Sequence, residues 1–348
     1  MKAQLILENG KRFEGKMFGC IKDIAGEVIF TTGMVGYQQV VTDPAYAGQI
    51  VVMTFPLIGN YGINLEDSEE GKATANAIIV REKCDYPSNF RNEMNLDDFL
   101  CEQGVVGLEG IDTRALTQEI RNEGIMKGVI MLGEPDESTV KAMMDKFDNS
   151  NAVAQTTTEK TYTVNENGNA DVAVIDMGAK GSTVKDLQKK GCRITVFPAN
   201  AKAEEIEKIN PALVFVSNGP GNPEDAPETV ATVKELAQKY PVCGISMGHQ
   251  IIALALGCKV QKLKFGHHGS NQPVKETATG KVHITTQNNN YIVSDIAADV
   301  EVTFTNVNDG TCAGIRHKEL PVQSIQFMPG DAPFDTGYLF DRFLKEVR

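Results

Sequence analysis

Residues 244–250, Gly-Ile-Ser-Met-Gly-His-Gln, place a serine between two glycines where an apolar strand pattern gives way to an apolar helical one. Glycine at 244 and 248 lets the chain turn sharply, and the turn aims residue 246 outward at the head of a helix, the setting of a nucleophile. A helix start also turns unbonded N–H groups toward the same space. The N–H of Met247, and that of Gly221 in Asn-Gly-Pro-Gly at 218–221, suit the oxyanion of a carbonyl under attack. The chemistry is therefore acyl transfer from a carbonyl compound, provided that something takes the proton of the attacking group. Candidate acceptors are few, because the chain has five histidines: His249, His267, His268, His283 and His317. Gly-Ile-Ser-Met-Gly satisfies the GxSxG pattern, and Asp309 and His317 follow it in the order of a serine hydrolase. A metal site is not expected, since there is no CxxC and the only close histidine pair is His267-His268. Seven cysteines without a repeated spacing read as reduced thiols, and Cys243, on an alternating strand, reads as core.

Such a turn needs a sheet to launch it. From 171 onward the pattern alternates: DVAVIDMG, CRITVFPA, PALVFVSNGPG and the run into Ser246 read as strands, with GSTVKDLQKKG and KAEEIEKI as helices between them. That alternation predicts an α/β domain with a mostly parallel sheet flanked by helices, whose ligands gather at the carboxyl ends of the strands. Residues 1–150 read instead as a β-rich N-terminal domain with a few helices. Its opening pattern alternates on both sides of Asn9-Gly10, a pair that suits a type I′ hairpin turn. Between them, 151–170 is polar and poor in large apolar residues, the texture of a linker. A length of 348 residues accommodates both domains. The formal charge of −12 is scattered acid, which disfavours nucleic acid and anionic membrane as partners. With no apolar run long enough to span a bilayer and no leader pattern at Met1, a cytoplasmic location is expected.

The paired motifs SNGPGNP and GISMGHQ resemble those of class I glutamine amidotransferase domains. GMVGYQQVVTDPAYAGQIVVMTFPLIGNYG, GIDTRALT, LKFGHHGSNQPV and TGYLFDRF narrow the resemblance to the small subunit of carbamoyl-phosphate synthetase, over nearly the whole chain. The resemblance implies a cysteine nucleophile that hydrolyses glutamine, with the ammonia passing to a large partner subunit in the route to pyrimidines and arginine. It assigns ATP and Mg to that partner, and no cofactor to this chain, which has no GxxxxGK[ST] loop. Carried over position by position, it puts the nucleophile at Ser246, the base histidine at Met328 and the orienting glutamate at Gly330. Gly219, Gly221, Met247, Gln250 and Asn288 match glutamine-binding positions. Ala45 stands where the family has serine, and Asn289, Asn290 and Tyr291 stand where it has His, Gly and Phe.

These departures act in one direction. A thiol of pKa about 8.5 is readily held as thiolate, whereas an alcohol must give up its proton to a base as it attacks. Methionine accepts no proton and glycine carries no carboxylate. The expectation is a small subunit, or a paralogue of one, whose glutaminase is inactive or severely impaired and which binds glutamine weakly. The alternatives are a non-catalytic glutamine or amide sensor and a serine hydrolase using Ser246.

Overall fold

A computed structural model describes the chain except for residues 70, 71, 332 and 346–348. The chain divides into two compact units, the first ending at Asn149 and the second starting at Ser150. The strands of the first are β1 Lys2–Leu7, β2 Arg12–Gly19, β3 Ile24–Thr31, β4 Gln49–Met53, β5 Leu57–Ile58, β6 Ala77–Ile79, β7 Glu82–Lys83, β8 Val106–Glu109 and β9 Met126–Leu132. Seven of them close into a barrel in the order β1-β2-β8-β6-β4-β3-β9, while β5 and β7 pair separately. Closure leaves no edge strand in that sheet, and Leu5, Val28, Ile50, Leu108 and Ile130 are fully buried. Helices α1 Tyr37–Thr42, α2 Leu96–Gln103, α3 Thr113–Glu123 and α4 Glu137–Lys146 accompany the barrel. Asp112 caps α3, its carboxylate accepting from the Ala115 N–H at 3.0 Å.

The β1–β2 hairpin forms, but its turn differs from the expected one. A type I′ turn needs positive φ at both central residues, whereas Gly10 has φ 86° and Asn9 stays negative. The Leu7 N–H donates to Lys11 O and the Gly10 N–H to Leu7 O, so three residues make the loop and the glycine alone takes the left-handed conformation.

In the second unit, the stretch expected as a linker carries α5 Ala152–Thr156 and the edge strand β10 Tyr162–Val164. The main strands follow: β11 Ala170–Asp176, β12 Cys192–Pro198, β13 Leu213–Val216, β14 Val242–Ile245, β15 Val260–Glu276, β16 Val282–Val293, β17 Val300–Asn306, β18 Cys312–His317 and β19 Val322–Ile325. They form one sheet in the order β10-β12-β11-β13-β14-β19-β18-β16-β15-β17. The pairings from β12 through β11, β13 and β14 to β19 are parallel, as the alternating pattern predicted. The helices are α6 Gly181–Lys189, α7 Ala203–Glu207, α8 Pro227–Leu236, α9 Met247–Ala255 and α10 Tyr338–Lys345.

Strand alternation sorts the side chains into two cores. Ala173, Ile175, Val214 and Val216 join Val233 of α8 and Ile251 of α9. Val172, Val174, Leu213 and Phe215 join Leu187 of α6 and Phe340 and Phe343 of α10. Strand β14 thus sits mid-sheet with both faces covered, and its carboxyl end delivers residue 246.

Candidate functional site

Ser246 follows β14 directly, and its N–H donates to Ile325 O at 2.9 Å, so the neighbouring strand holds the turn. Its backbone stands at φ 53°, ψ −112°, outside the ordinary left-handed region. Such a conformation costs on the order of 1–3 kcal/mol and persists only where the surroundings enforce it. They do so here through two glycines. A Cβ on Gly244 would lie 2.9 Å from the Gly248 carbonyl carbon, and one on Gly248 would lie 2.1 Å from Val216 O. The elbow therefore presses α9 against β13 with no side chain between, and the Gly248 N–H donates to Ser217 O at 2.9 Å. Met247 opens α9, where an N–H has no partner of its own within the helix.

The 217–221 loop is pinned from the other side. The Ser217 hydroxyl accepts from the Met177 N–H at 2.9 Å, and Asn218 accepts from the Lys180 N–H at 3.1 Å and donates to Gly178 O at 3.0 Å. Gly219 lies against Met177 O, which a Cβ would meet at 2.1 Å. Gly221 holds φ 86°. Both segments expected to supply oxyanion donors thus leave adjacent parallel strands at their carboxyl ends.

Further bonds join α9 to the long β15–β16 hairpin. Gln250 donates through Nε2 to Tyr291 O at 2.7 Å and to Gln326 Oε1 at 3.0 Å, and Asn289 donates to the same Tyr291 carbonyl at 3.0 Å. His268 lies between two amides, with Nδ1 2.7 Å from Asn288 Oδ1 and Nε2 2.9 Å from Asn290 Oδ1. A neutral imidazole donates from only one nitrogen. One amide must therefore turn its NH₂ to the ring, and Asn288, whose Nδ2 is otherwise unpartnered, is the one able to do so. Sequence reading missed this clamp, because its members lie some twenty residues apart. Ala45 lies in the barrel unit, in the short turn Pro44–Tyr46, buried, its N–H donating to Asp43 at 2.9 Å.

Among the described residues no hydrogen bond involves the Ser246 hydroxyl, which makes no cap bond, although the residue as a whole is buried. Met328 is buried in the core cluster that also holds Phe327 and Phe340, and its N–H donates to Thr286 O at 3.0 Å. Each histidine has another setting. His249 shares a hydrogen bond with the Ser324 hydroxyl at 2.9 Å, His267 pairs with Asp309 at 2.7 Å, and His283 lies 3.5 Å from the Tyr338 hydroxyl. His317 is half-buried rather than exposed, and its Nδ1 accepts the N–H groups of Glu319 and Leu320.

Asp309 and His317 are therefore not partners. The β18–β19 register pairs Gly314 with Ile325 and Arg316 with Gln323, so His317 lies toward the amino end of β19. Ser246 sits at the opposite end, four residues on from Val242 of β14, which pairs with Val322, or roughly 13 Å along the strands.

Burial pushes the His249 imidazole down to about 3 and that of His268 down to about 4. Both are neutral in the folded chain at pH 6, whereas an unfolded histidine binds a proton near 6.5. The unfolded state then gains protons first on acidification, so stability falls as pH drops through 6.5 toward the folded values. Each ring should cost about 2 kcal/mol between pH 7 and 5. Thermal unfolding across that range should show the loss, and His249→Gln should flatten the slope by roughly half. A slope unchanged in that variant would mean that other groups carry the acid sensitivity.

A sheet with a five-stranded parallel centre, carrying a strained, glycine-flanked elbow at the end of one of those strands beside a pinned Asn-Gly-Pro-Gly loop, defines an amidotransferase-type α/β domain. Residues 173–346 match the family glutamine amidotransferase class-I, and residues 5–130 match the carbamoyl-phosphate synthase small chain, CPSase domain. The chain is 52% identical over 347 residues to the carbamoyl phosphate synthase small chain of Clostridium perfringens, covering 99% of each. It is 43% identical over 351 residues to the pyrimidine-specific small chain of Bacillus subtilis, covering 100% of this chain and 96% of that one. A solved structure of a GMP synthase component from Thermoplasma acidophilum aligns with TM-score 0.46 and 21% identity over 51% of this chain and 94% of that one. The chain belongs to the carbamoyl-phosphate synthase small chain family.

Proposed function

We propose that this chain is the small-chain component of a carbamoyl-phosphate synthase complex whose own glutaminase is lost or severely reduced, leaving the large chain to use free ammonia. The observation that carries the reading is Met328, a buried thioether at the family's base position, together with a Ser246 hydroxyl that has no hydrogen-bond partner among the described residues. An alcohol of pKa far above 7 cannot attack an amide without a base. The oxyanion loop and elbow keep their backbone roles, which report fold more than activity. ATP and Mg chemistry belongs to the large chain, and the reading places the complex in the cytoplasm, where that partner would use them.

The Gln250 amide is taken up by Tyr291 and Gln326, and the Asn290 side chain is tied to His268. Both support weak glutamine binding. The decisive experiment reconstitutes the chain with its large chain and compares nitrogen sources. Carbamoyl phosphate should form from ammonium and not from glutamine. Turnover on glutamine at the ammonium rate would overturn the reading. A non-catalytic amide sensor is the second reading, favoured by the buried, unpartnered atoms Asn289 Oδ1, Gln326 Nε2 and His267 Nδ1. Calorimetry with glutamine and with asparagine on the full chain separates the two, since a sensor must show saturable heat.

A further inference from the structure

The turn after β19 brings position 330 against α6. The Asp331 N–H donates to Met328 O at 3.4 Å, closing a tight turn over residues 328–331. Two residues associated with α6 meet this turn. Lys180, which precedes the first residue of the helix and has a side chain only 6% exposed, reaches Asp331 at 2.8 Å. Asp186, from inside the helix, faces Gly330: a Cβ built there would lie 2.2 Å from Asp186 Oδ2 and 3.4 Å from Phe340 Cε2. The Asp186 carboxylate thus occupies the volume into which any side chain at 330 would grow. Its other oxygen accepts from Lys189 Nζ at 2.7 Å, one helical turn on, in an ion pair whose lysine is largely exposed.

We infer that Asp186 is the residue that keeps position 330 closed, sterically to any side chain and electrostatically to a carboxylate, so that restoring the family's glutamate requires a change on α6 as well. A contact of 2.2 Å is far inside van der Waals distance, so a side chain at 330 must displace the Asp186 carboxylate from its present rotamer. Phe340 Cε2, at 3.4 Å, lies in ordinary van der Waals contact on another side. A glutamate there would also bring a second negative charge against Asp186, which disfavours ionisation of both. Glutamine at 330 has nearly the same volume without the charge, which separates the two effects. The inference makes Asp186 a positioning residue, because it acts through the 328–331 turn. Its catalytic consequence rests on the functional reading above, while its structural consequence does not.

The test is a double-mutant cycle in the full chain: D186S, G330E, D186S/G330E and, for charge, G330Q. Thermal unfolding of G330E should fall by about 2–4 °C, as expected where a half-buried carboxylate must be turned aside at a cost of about 1 kcal/mol in a unit of this size. G330Q should lose less. D186S/G330E should recover at least half of the G330E loss, a non-additivity that independent sites would not show. The second readout uses S246C/M328H as background, in complex with the large chain. There, adding G330E should raise glutamine hydrolysis at least tenfold more with D186S than with Asp186 in place, and should move the acid limb of its pH profile. Additive melting shifts, or a G330E chain as stable as the parent, would overturn the inference. If no restored chain hydrolyses glutamine, the functional reading is at fault, and the melting cycle still decides on Asp186.

Discussion

Replacing Ser246 by cysteine and Met328 by histidine together should raise glutamine hydrolysis on the order of 10² or more, while either replacement alone should leave the rate near background. The asymmetry follows from how a nucleophile and its base work. In the serine protease subtilisin, loss of the nucleophile or the base costs about 2 × 10⁶ in kcat, almost as much as loss of the whole triad, whereas loss of the carboxylate alone costs about 3 × 10⁴. Restoring one of two interdependent groups therefore restores little, and restoring both without the carboxylate returns roughly the ratio of those factors. Ser246 already has the strained backbone that the reaction needs, at φ 53°, ψ −112°, and the neighbouring loop is pinned. The repair thus adds chemistry to an assembled frame. Cysteine should gain more from the imidazole than serine would, because an ion pair can form before attack. The measurement is ammonia release from glutamine, with S246C, M328H and the double variant compared in complex with the large chain. Full activity in S246C alone would reveal another base. No gain in the double variant would locate the defect in glutamine binding, for which Asn290→Gly is the next change to add.

How far the sequence predicted this site depended on the distance between partners. The elbow was legible because its glycines, strand and apolar helix are contiguous, and the crowding behind Gly244 comes from those neighbours, whereas Gly248 is crowded by Val216 and Ser217, about thirty residues away in the chain. The parallel direction of β11, β12, β13 and β14 was legible from alternation alone, though not their order in the sheet. The barrel's closure was not, because the β2–β8 pairing of Lys16 with Glu109 joins residues ninety-three apart, and alternation says which face is buried without naming the partner strand. The pairing of His267 with Asp309 was hidden for the same reason, and order along the chain instead suggested His317. Polar composition at 151–170 suggested a connector, yet an edge strand with one open side tolerates polar residues. Main-chain pairing of Tyr162 with Val196 and the Thr158 N–H bond to Asp176 hold that stretch on the unit. At Asn9-Gly10 the sequence signalled a hairpin correctly and its turn type incorrectly, because a third loop residue relieved Asn9 of positive φ.

Gly248→Ala should be among the most damaging single-methyl changes in the second unit. The added Cβ would lie 2.1 Å from Val216 O, 2.6 Å from Val216 C and 2.9 Å from Ser217 O, all main-chain atoms of the central sheet or of the loop that leaves it. No rotamer relieves such contacts, so α9 or β13 must shift by about 1 Å to reach ordinary separation. Either movement breaks the Gly248 N–H bond to Ser217 O and releases the Ser246 backbone, whose strain depends on that packing. The helix cannot drift freely, since seven of its nine residues besides Gly248 itself are buried. A cost above about 4 kcal/mol follows, which belongs to the extreme tail of point substitutions. Gly257→Ala is the control. Its φ is 84° and nothing lies within 4 Å of its Cβ, so only the left-handed backbone penalty of about 1–2 kcal/mol applies. Calorimetric unfolding should therefore place G248A at least about 8 °C below the parent and G257A within about 2–6 °C of it. A G248A chain that melts with G257A would mean that the elbow is not tightly packed against β13, and the retained-frame account of Ser246 would fail with it.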